Sequence, residues 1–163
     1  MSFNEEYGME IYIKKYANMQ ELEWEKYALK ALENTGVAPQ LLKCCKETMC
    51  IEMEKITLKT LNIWEIFEVG DYKIIEFAKA EYNLKSTLDK NGVAYYDWKS
   101  DHLFYDEKNN FLRLIDYSGD ESFKEKNKDK DRIDKEYSFI SNPNYMTEQN
   151  YIDYKNKILR IYG

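Results

Sequence analysis

Strand-like and helix-like hydrophobic periods alternate along this chain, and its strand-like stretches mostly come as close pairs joined by short turns. Gln40–Lys46 and Met49–Ile56 are separated only by Glu47-Thr48, and segments around Leu103–Tyr105 and Phe111–Ile115 by the turn-forming Asp106–Asn110. Strands so close in sequence pair antiparallel, because a parallel crossover needs a dozen or more residues. Helical periodicity fills the stretches between the pairs, so the expected fold class is α+β with a small antiparallel sheet.

A length of 163 residues suits one domain, and no Gly/Ser-rich or Pro-rich linker divides it. A hydrophobic fraction of 44% with 15% aromatics supplies ample area for a core and excludes a disordered tail. A mean hydropathy of -0.74, with no apolar run near the roughly 18 residues a spanning helix needs, excludes a membrane protein. Net charge -6 speaks against a general affinity for nucleic-acid phosphate. The N-terminus carries acids and no apolar signal region, so a cytoplasmic protein is expected. Cys44, Cys45 and Cys50 crowd one window, far from the single histidine, His102. They read as buried strand cysteines in a reducing compartment rather than a metal site. Only Arg113, Arg132 and Arg160 are arginine among 24 basic residues, a bias that an AT-rich coding sequence produces.

Met9–Tyr16 reads as a strand, and Asn18 with Glu21 three residues on reads as a capping-box-like helix start. Leu22, Ala28, Leu29 and Leu32 form that helix's apolar stripe, and Gly36 offers a stop. Glu25 falls on the same inward face, between Leu22 and Leu29. A carboxylate there either reaches water at the edge of the face or pairs with a lysine of the preceding strand, Lys14 or Lys15. A segment around Leu58–Phe67 is helical or irregular. Asp71 or a neighbour opens a long helix to about Lys90, with Ile74, Phe77, Ala78, Leu84 and Leu88 inward and Asn91-Gly92 as its stop. Thirteen of the seventeen residues from Asp120 to Glu136 are charged, as in a solvated loop. A last helix from about Thr147 to Tyr162 sets Tyr151, Tyr154, Ile158 and Ile161 on one side.

Two aspartates stand in unusual settings. Asp97 lies in a loop soon after the long helix, within Tyr96-Asp97-Trp98-Lys99, and Asp116 ends the apolar run Phe111–Ile115. An acid at the end of a buried strand sits on a rigid support that opens to a cleft, where enzymes place metal ligands and bases. Taken singly, such an acid is more often a turn or cap residue.

In order, helix, Gly92-Val93-x-Tyr95-Tyr96-Asp97-x-Lys99, hairpin and Ile115-Asp116 resemble the catalytic loop and metal-binding loop of the protein-kinase-like superfamily. Upstream, Ile11-Tyr12-Ile13-Lys14 resembles that family's strand lysine and Glu25 its helix glutamate. Gly36–Leu42 resembles the approach to the fourth strand, and Met53-Glu54-Lys55-Ile56 the gatekeeper and hinge. The resemblance covers roughly residues 9 to 120.

It implies an ATP- and Mg²⁺-dependent Ser/Thr-type protein kinase, in a reduced fold with an N-lobe-like part over 1–56 and a C-lobe-like part over 57–163. Asp97 would orient the acceptor hydroxyl, and Lys99 would neutralise the transferring phosphoryl group. Lys14 and Glu25 would hold the α/β-phosphates, Glu54 and Ile56 would meet the adenine, and Asp116 with His102 would face the metal. Several features depart from the family. Gly8 is the sole glycine before Lys14, so no Gly-rich loop is expected. His102 stands where the family has a metal-binding Asn, Asp116-Tyr117-Ser118 replaces D-F-G, and no A-P-E follows. The chain thus reads as a truncated kinase, braced by a protein partner or acting on a protein substrate. The alternatives are a pseudokinase that binds and regulates another protein, a homodimer among them, or a kinase-fold enzyme acting on a small molecule.

Overall fold

The computed structural model describes residues 2–4, 8–95, 100–118 and 149–162. Within them, two antiparallel sheets and four α-helices make an α+β fold. The first sheet holds β1 (Ser2–Asn4), β2 (Met9–Lys15), β3 (Leu41–Cys45) and β4 (Cys50–Glu54), in the order β1-β2-β4-β3. β4 pairs on one side with β2, Lys14 opposite Ile51, and on the other with β3, Cys45 opposite Cys50. The sequence reading misses β1, because three residues are too few to show a period.

Helix α1 (Met19–Ala31) packs against this sheet. Asn18 caps it, its side-chain oxygen accepting from the Glu21 amide at 2.9 Å, as the capping pattern predicts. Leu22, Ala28, Leu29 and Leu32 are all buried. The helix ends at Ala31, short of Gly36, because the Leu32 amide already closes the last turn onto Ala28. Gly36 instead turns the chain at φ +82 beside the ring of Phe111.

Helices α2 (Ile63–Val69) and α3 (Asp71–Lys90) follow, with Gly70 as the α3 N-cap at φ +143. The face of Ile74, Phe77, Ala78, Leu84 and Leu88 is buried as its spacing predicts. A 3₁₀ turn (Ser100–His102) leads into the hairpin of β5 (Leu103–Asp106) and β6 (Phe111–Leu114). Two main-chain bonds fix the hairpin in place. The Leu61 amide donates to the Leu103 carbonyl at 2.8 Å, and the Leu114 amide to the Val37 carbonyl at 2.7 Å.

Helix α4 (Gln149–Tyr162) buries Tyr154 and Ile158, while Ile161 is exposed rather than inward. The candidate site is built entirely from other elements. The charged stretch 120–136 lies outside the described residues.

The cysteines differ from expectation. All three are free and half-buried rather than core residues. The cause is position: Cys44 and Cys45 lie on β3 at the sheet edge, and Cys50 sits beside the β3–β4 turn. Among the described residues no helix is long and apolar enough to cross a membrane.

Candidate active site

Three elements converge on one end of a cavity of about 410 Å³. β2 carries Lys14, α1 carries Glu25, and the segment after β6 carries Asp116. Alternation along β2 puts Tyr12, Lys14 and Tyr16 on one face, and Tyr12 and Lys14 line the cavity. On α1, Glu25 stands three residues after Leu22 and four before Leu29, so the same stripe that builds the core turns its carboxylate inward.

Glu25 is 1% exposed, and three donors converge on it. Lys14 Nζ donates to Oε1 at 2.8 Å, the Tyr16 hydroxyl to the same oxygen at 2.7 Å, and the Tyr117 amide to Oε2. A buried carboxylate is tolerable only when its lone pairs are met in this way. Of the two lysines that the sequence offers as partners, the register of β2 selects Lys14.

Lys14 also reaches Asp116 Oδ1 at 3.2 Å and the Ser118 hydroxyl oxygen at 3.5 Å, with the Tyr16 ring centre 5.2 Å away. Burial alone would lower the lysine's pKa. The Glu25 and Asp116 carboxylates outweigh that and hold it above its ordinary value. Burial likewise pushes Asp116 up, but Lys14, aided by Ser118 and His102, holds it below the usual carboxylate range. Both groups are therefore ionised near neutrality. One ammonium shared by two carboxylates leaves the trio net negative on a cavity wall.

Asp116 sits at φ +70, in the left-handed region that Asp tolerates better than most residues. The turn there aims Oδ1 at Lys14 and Ser118, the latter hydroxyl at 3.0 Å, and Oδ2 at His102 Nε2, 3.2 Å away. The other ring nitrogen, Nδ1, lies 3.1 Å from the Tyr95 hydroxyl. Tyr117 is wholly buried against Tyr95, rings 5.3 Å apart and edge to face, and burial drives its hydroxyl pKa well up.

The remaining walls are largely apolar, with Tyr12, Pro39, Met53, Ile56, Phe104 and Ile115 facing the space. Largely apolar walls with Lys14, Glu25, Asp116, His102, Glu54 and Lys55 at their borders suit a ligand with a planar body and a charged tail; beside the net-negative trio an anionic tail would come with a cation.

Of the residues the sequence singles out, the structure brings Lys14, Glu25, Asp116 and His102 together, with Ile56 on the adjoining wall. Glu54 also borders the cavity, but its carboxylate is committed elsewhere. It accepts two parallel bonds from Arg113, both 2.8 Å, and one from the Gln40 amide at 3.1 Å. Asp97 and Lys99 lie outside the described residues.

Four contributors escape the sequence reading of the site. Tyr16 was open to inference, since it shares the Lys14 face at i+2. Ser118 is two residues from Asp116. Tyr95 enters the sequence reading only as part of the catalytic-loop resemblance, with no role of its own, and Arg113 had no local signal. Their partners, Ile115, His102, Glu54 and the Gly36 and Ala38 carbonyls, come together only through the fold.

Among the described residues no cluster of three or more His, Cys, Asp or Glu side chains is suited to a metal. Asp116 and His102 are adjacent at the cavity wall and are the pair that could hold an ion there, one through oxygen and one through nitrogen. No protein-family model matches this chain, and no curated protein matches it either.

Proposed function

We propose that this chain is a reduced, protein-kinase-like module that binds ATP with a divalent ion and transfers the γ-phosphoryl group to a protein hydroxyl. One observation carries the reading. Lys14 is shared between the buried Glu25 and Asp116 on the wall of a largely apolar cleft that Glu54 and Lys55 also border. Phosphoryl transfer asks little covalent chemistry of a protein. It needs a cation aimed at the phosphates, an acid that holds a metal, and a rigid support for both.

Glu25 is that support. By accepting from Lys14, Tyr16 and the Tyr117 amide at once, it ties β2, α1 and the Asp116 segment into one unit. When nucleotide enters, the Lys14 ammonium can exchange its 3.2 Å contact with Asp116 for phosphate oxygens while Glu25 still holds it at 2.8 Å. Asp116, with His102, would hold the ion, which would supply neutralisation of phosphate charge. Met53, Ile56, Phe104 and Ile115 offer apolar contact to the base. The family resemblance would give Asp97 the acceptor hydroxyl and Lys99 the transferring phosphoryl group.

A second reading, a pseudokinase that engages another protein through the same fold, is favoured by His102. An imidazole nitrogen replaces an oxygen ligand beside Asp116, which suits Mg²⁺ poorly. Nucleotide-induced rise in melting temperature and phosphoryl transfer to a generic protein substrate separate the two. The kinase reading expects both, each lost in Lys14→Met and Asp116→Asn. A nucleotide-indifferent protein with any divalent ion, alone or with a candidate partner, sinks it.

A further inference from the structure

Two of the three cysteines face each other across one hairpin. In the β3–β4 pairing Cys45 stands directly opposite Cys50, and Cys44 opposite Ile51. Facing residues of an antiparallel pair send their side chains to the same side of the sheet, with Cα atoms about 4.5–5.5 Å apart. That lies inside the range of roughly 4.4–6.8 Å over which a disulfide closes without moving the backbone. Both thiols also lean toward the same turn. The Cys45 thiol donates to Glu47 Oε2 at 3.4 Å, and the Cys50 thiol to the Thr48 carbonyl at 3.3 Å.

Alternation removes Cys44 from this pair. As the strand neighbour of Cys45 it points to the opposite face, where it packs with Ile51 against the hydrophobic core. Cys45 and Cys50 are half-buried and lie outside that core, beside the exposed turn 46–48, where a small oxidant can reach them. Register decides which cysteine faces Cys50. The β3–β4 pairing shifts by one residue between Leu41 and Lys43. Had the register of Leu41 with Met53 continued to the turn, Cys44 would stand opposite Cys50 instead.

We propose that Cys45 and Cys50 form a dithiol–disulfide site, oxidised reversibly by a small-molecule disulfide of the glutathione class, and that the bond locks β3 to β4 in this register. The inference is independent of the nucleotide reading. In the first step the Cys45 thiolate attacks one sulfur of the oxidant and releases the other as a thiol, leaving a mixed disulfide. The Cys50 thiolate then attacks Cys45 Sγ and expels the second thiol. Two protein S–H bonds give way to one S–S bond. The two electrons reduce the oxidant's S–S bond, and the two protons end on the released thiols. A dithiol reductant reverses both steps.

Oxidised glutathione added to the whole chain near neutral pH should lower its intact mass by about 2 Da. Alkylation after unfolding should then find one free thiol in place of three. Dithiothreitol should restore all three. Trypsin should leave fragment 44–46 linked to fragment 47–55, and fragment-ion sequencing should place the bond on Cys45. Cys44→Ala should oxidise as the wild type does, whereas Cys45→Ser and Cys50→Ser should lose the bond. Oxidation in urea, where no register is imposed, should yield Cys44–Cys50 and Cys45–Cys50 bonds together.

A thiol count that stays at three overturns the proposal, as does a lasting glutathione adduct or a bond between two chains. A native bond from Cys44, or the same mixture of bonds in the native chain as in urea, overturns it too. The sequencing of the wild-type link needs no variant, so it decides the matter even where a substitution prevents folding.

Discussion

Two charge clusters join the first sheet to the end of the β5–β6 hairpin, and they are built on opposite plans. Arg113 gives its fork to both oxygens of Glu54 and two further donors to the Gly36 and Ala38 carbonyls, at 2.6 and 2.8 Å. One cation meets one anion, and both carboxylate oxygens have a donor. In the other cluster Lys14 is divided between Glu25 and Asp116, and Asp116 turns its second oxygen to an imidazole on a cavity wall. A matched, bidentate pair closed by main-chain carbonyls is a clamp, with little to gain from a ligand. A cluster short of positive charge and open to a cleft is one that a ligand or ion completes. The side-chain chemistry also differs. In a chain with three arginines among 24 basic residues, an arginine sits where planar geometry is required, and a lysine where a point charge must change partners.

The largest test of this contrast removes charge from the open cluster. If the proposed phosphoryl transfer holds, Asp116→Asn should cost it about 100-fold or more, because a bound metal would lose its carboxylate. Its melting temperature should change little, since Ser118 and Lys14 still have an acceptor. Loss of fold in Asp116→Asn, measured by circular dichroism, would make this cluster a clamp as well. Arg113→Ala should show the reverse. It strands Glu54 and two carbonyls, so urea unfolding should reveal a loss of roughly 2–3 kcal/mol. Arg113→Lys should recover less than half of that, because an ammonium cannot form the parallel pair. Whatever Arg113→Ala protein is folded should still bind nucleotide with wild-type affinity; a tenfold weakening would blur the distinction.

Glu25→Gln should fall between. It keeps the shape, but its single amide oxygen can serve either the Tyr16 hydroxyl or the Tyr117 amide, so one donor faces an NH₂ group and Lys14 loses its fixed counter-charge. The expected cost is about 1–3 kcal/mol of stability, with kcat/KM down roughly tenfold or more as Lys14 drifts toward Asp116. A variant with normal kinetics would show that Asp116 alone positions Lys14.

How much of this was legible beforehand depends on where the information resides. The inward Glu25 and the α1 cap are periodic or local features, and the structure places both where their spacing predicts, whereas the residue pattern left Lys14 and Lys15 open as its partner. The convergence of Lys14, Glu25 and Asp116 was legible only through ordered resemblance, since 102 positions separate the first from the last. Arg113 was invisible as a clamp. Its four acceptors lie on Gly36, Ala38 and Glu54, and nothing near Arg113 in sequence marks them. Burial of the cysteines was misjudged for a related reason. An apolar strand pattern does not say whether the strand ends at a sheet edge, and the order β1-β2-β4-β3 puts Cys44 and Cys45 on one.

The smallest expected effect isolates the clamp by pH. Bonds from Arg113, opposed by burial and helped by the Gln40 amide, hold the Glu54 pKa below its ordinary 4.5. Between the depressed folded value and the ordinary one, the unfolded chain binds more protons than the folded chain. The stability Glu54 contributes is therefore fully present above about pH 4.5 and is lost as pH falls through the folded value. Asp116 has the same sign, its pKa held below 3.8 by Lys14, but that contribution survives in Arg113→Ala. The stability difference between wild type and Arg113→Ala should thus be constant from about pH 7 to about pH 5 and shrink as pH falls further. A decrease of about 1 kcal/mol suits a pair that is only partly shielded from water. Urea midpoints of the two proteins across that range give the difference directly. A gap independent of pH would mean that Arg113 acts through the Gly36 and Ala38 carbonyls alone, and that the Glu54 charge contributes nothing to the clamp.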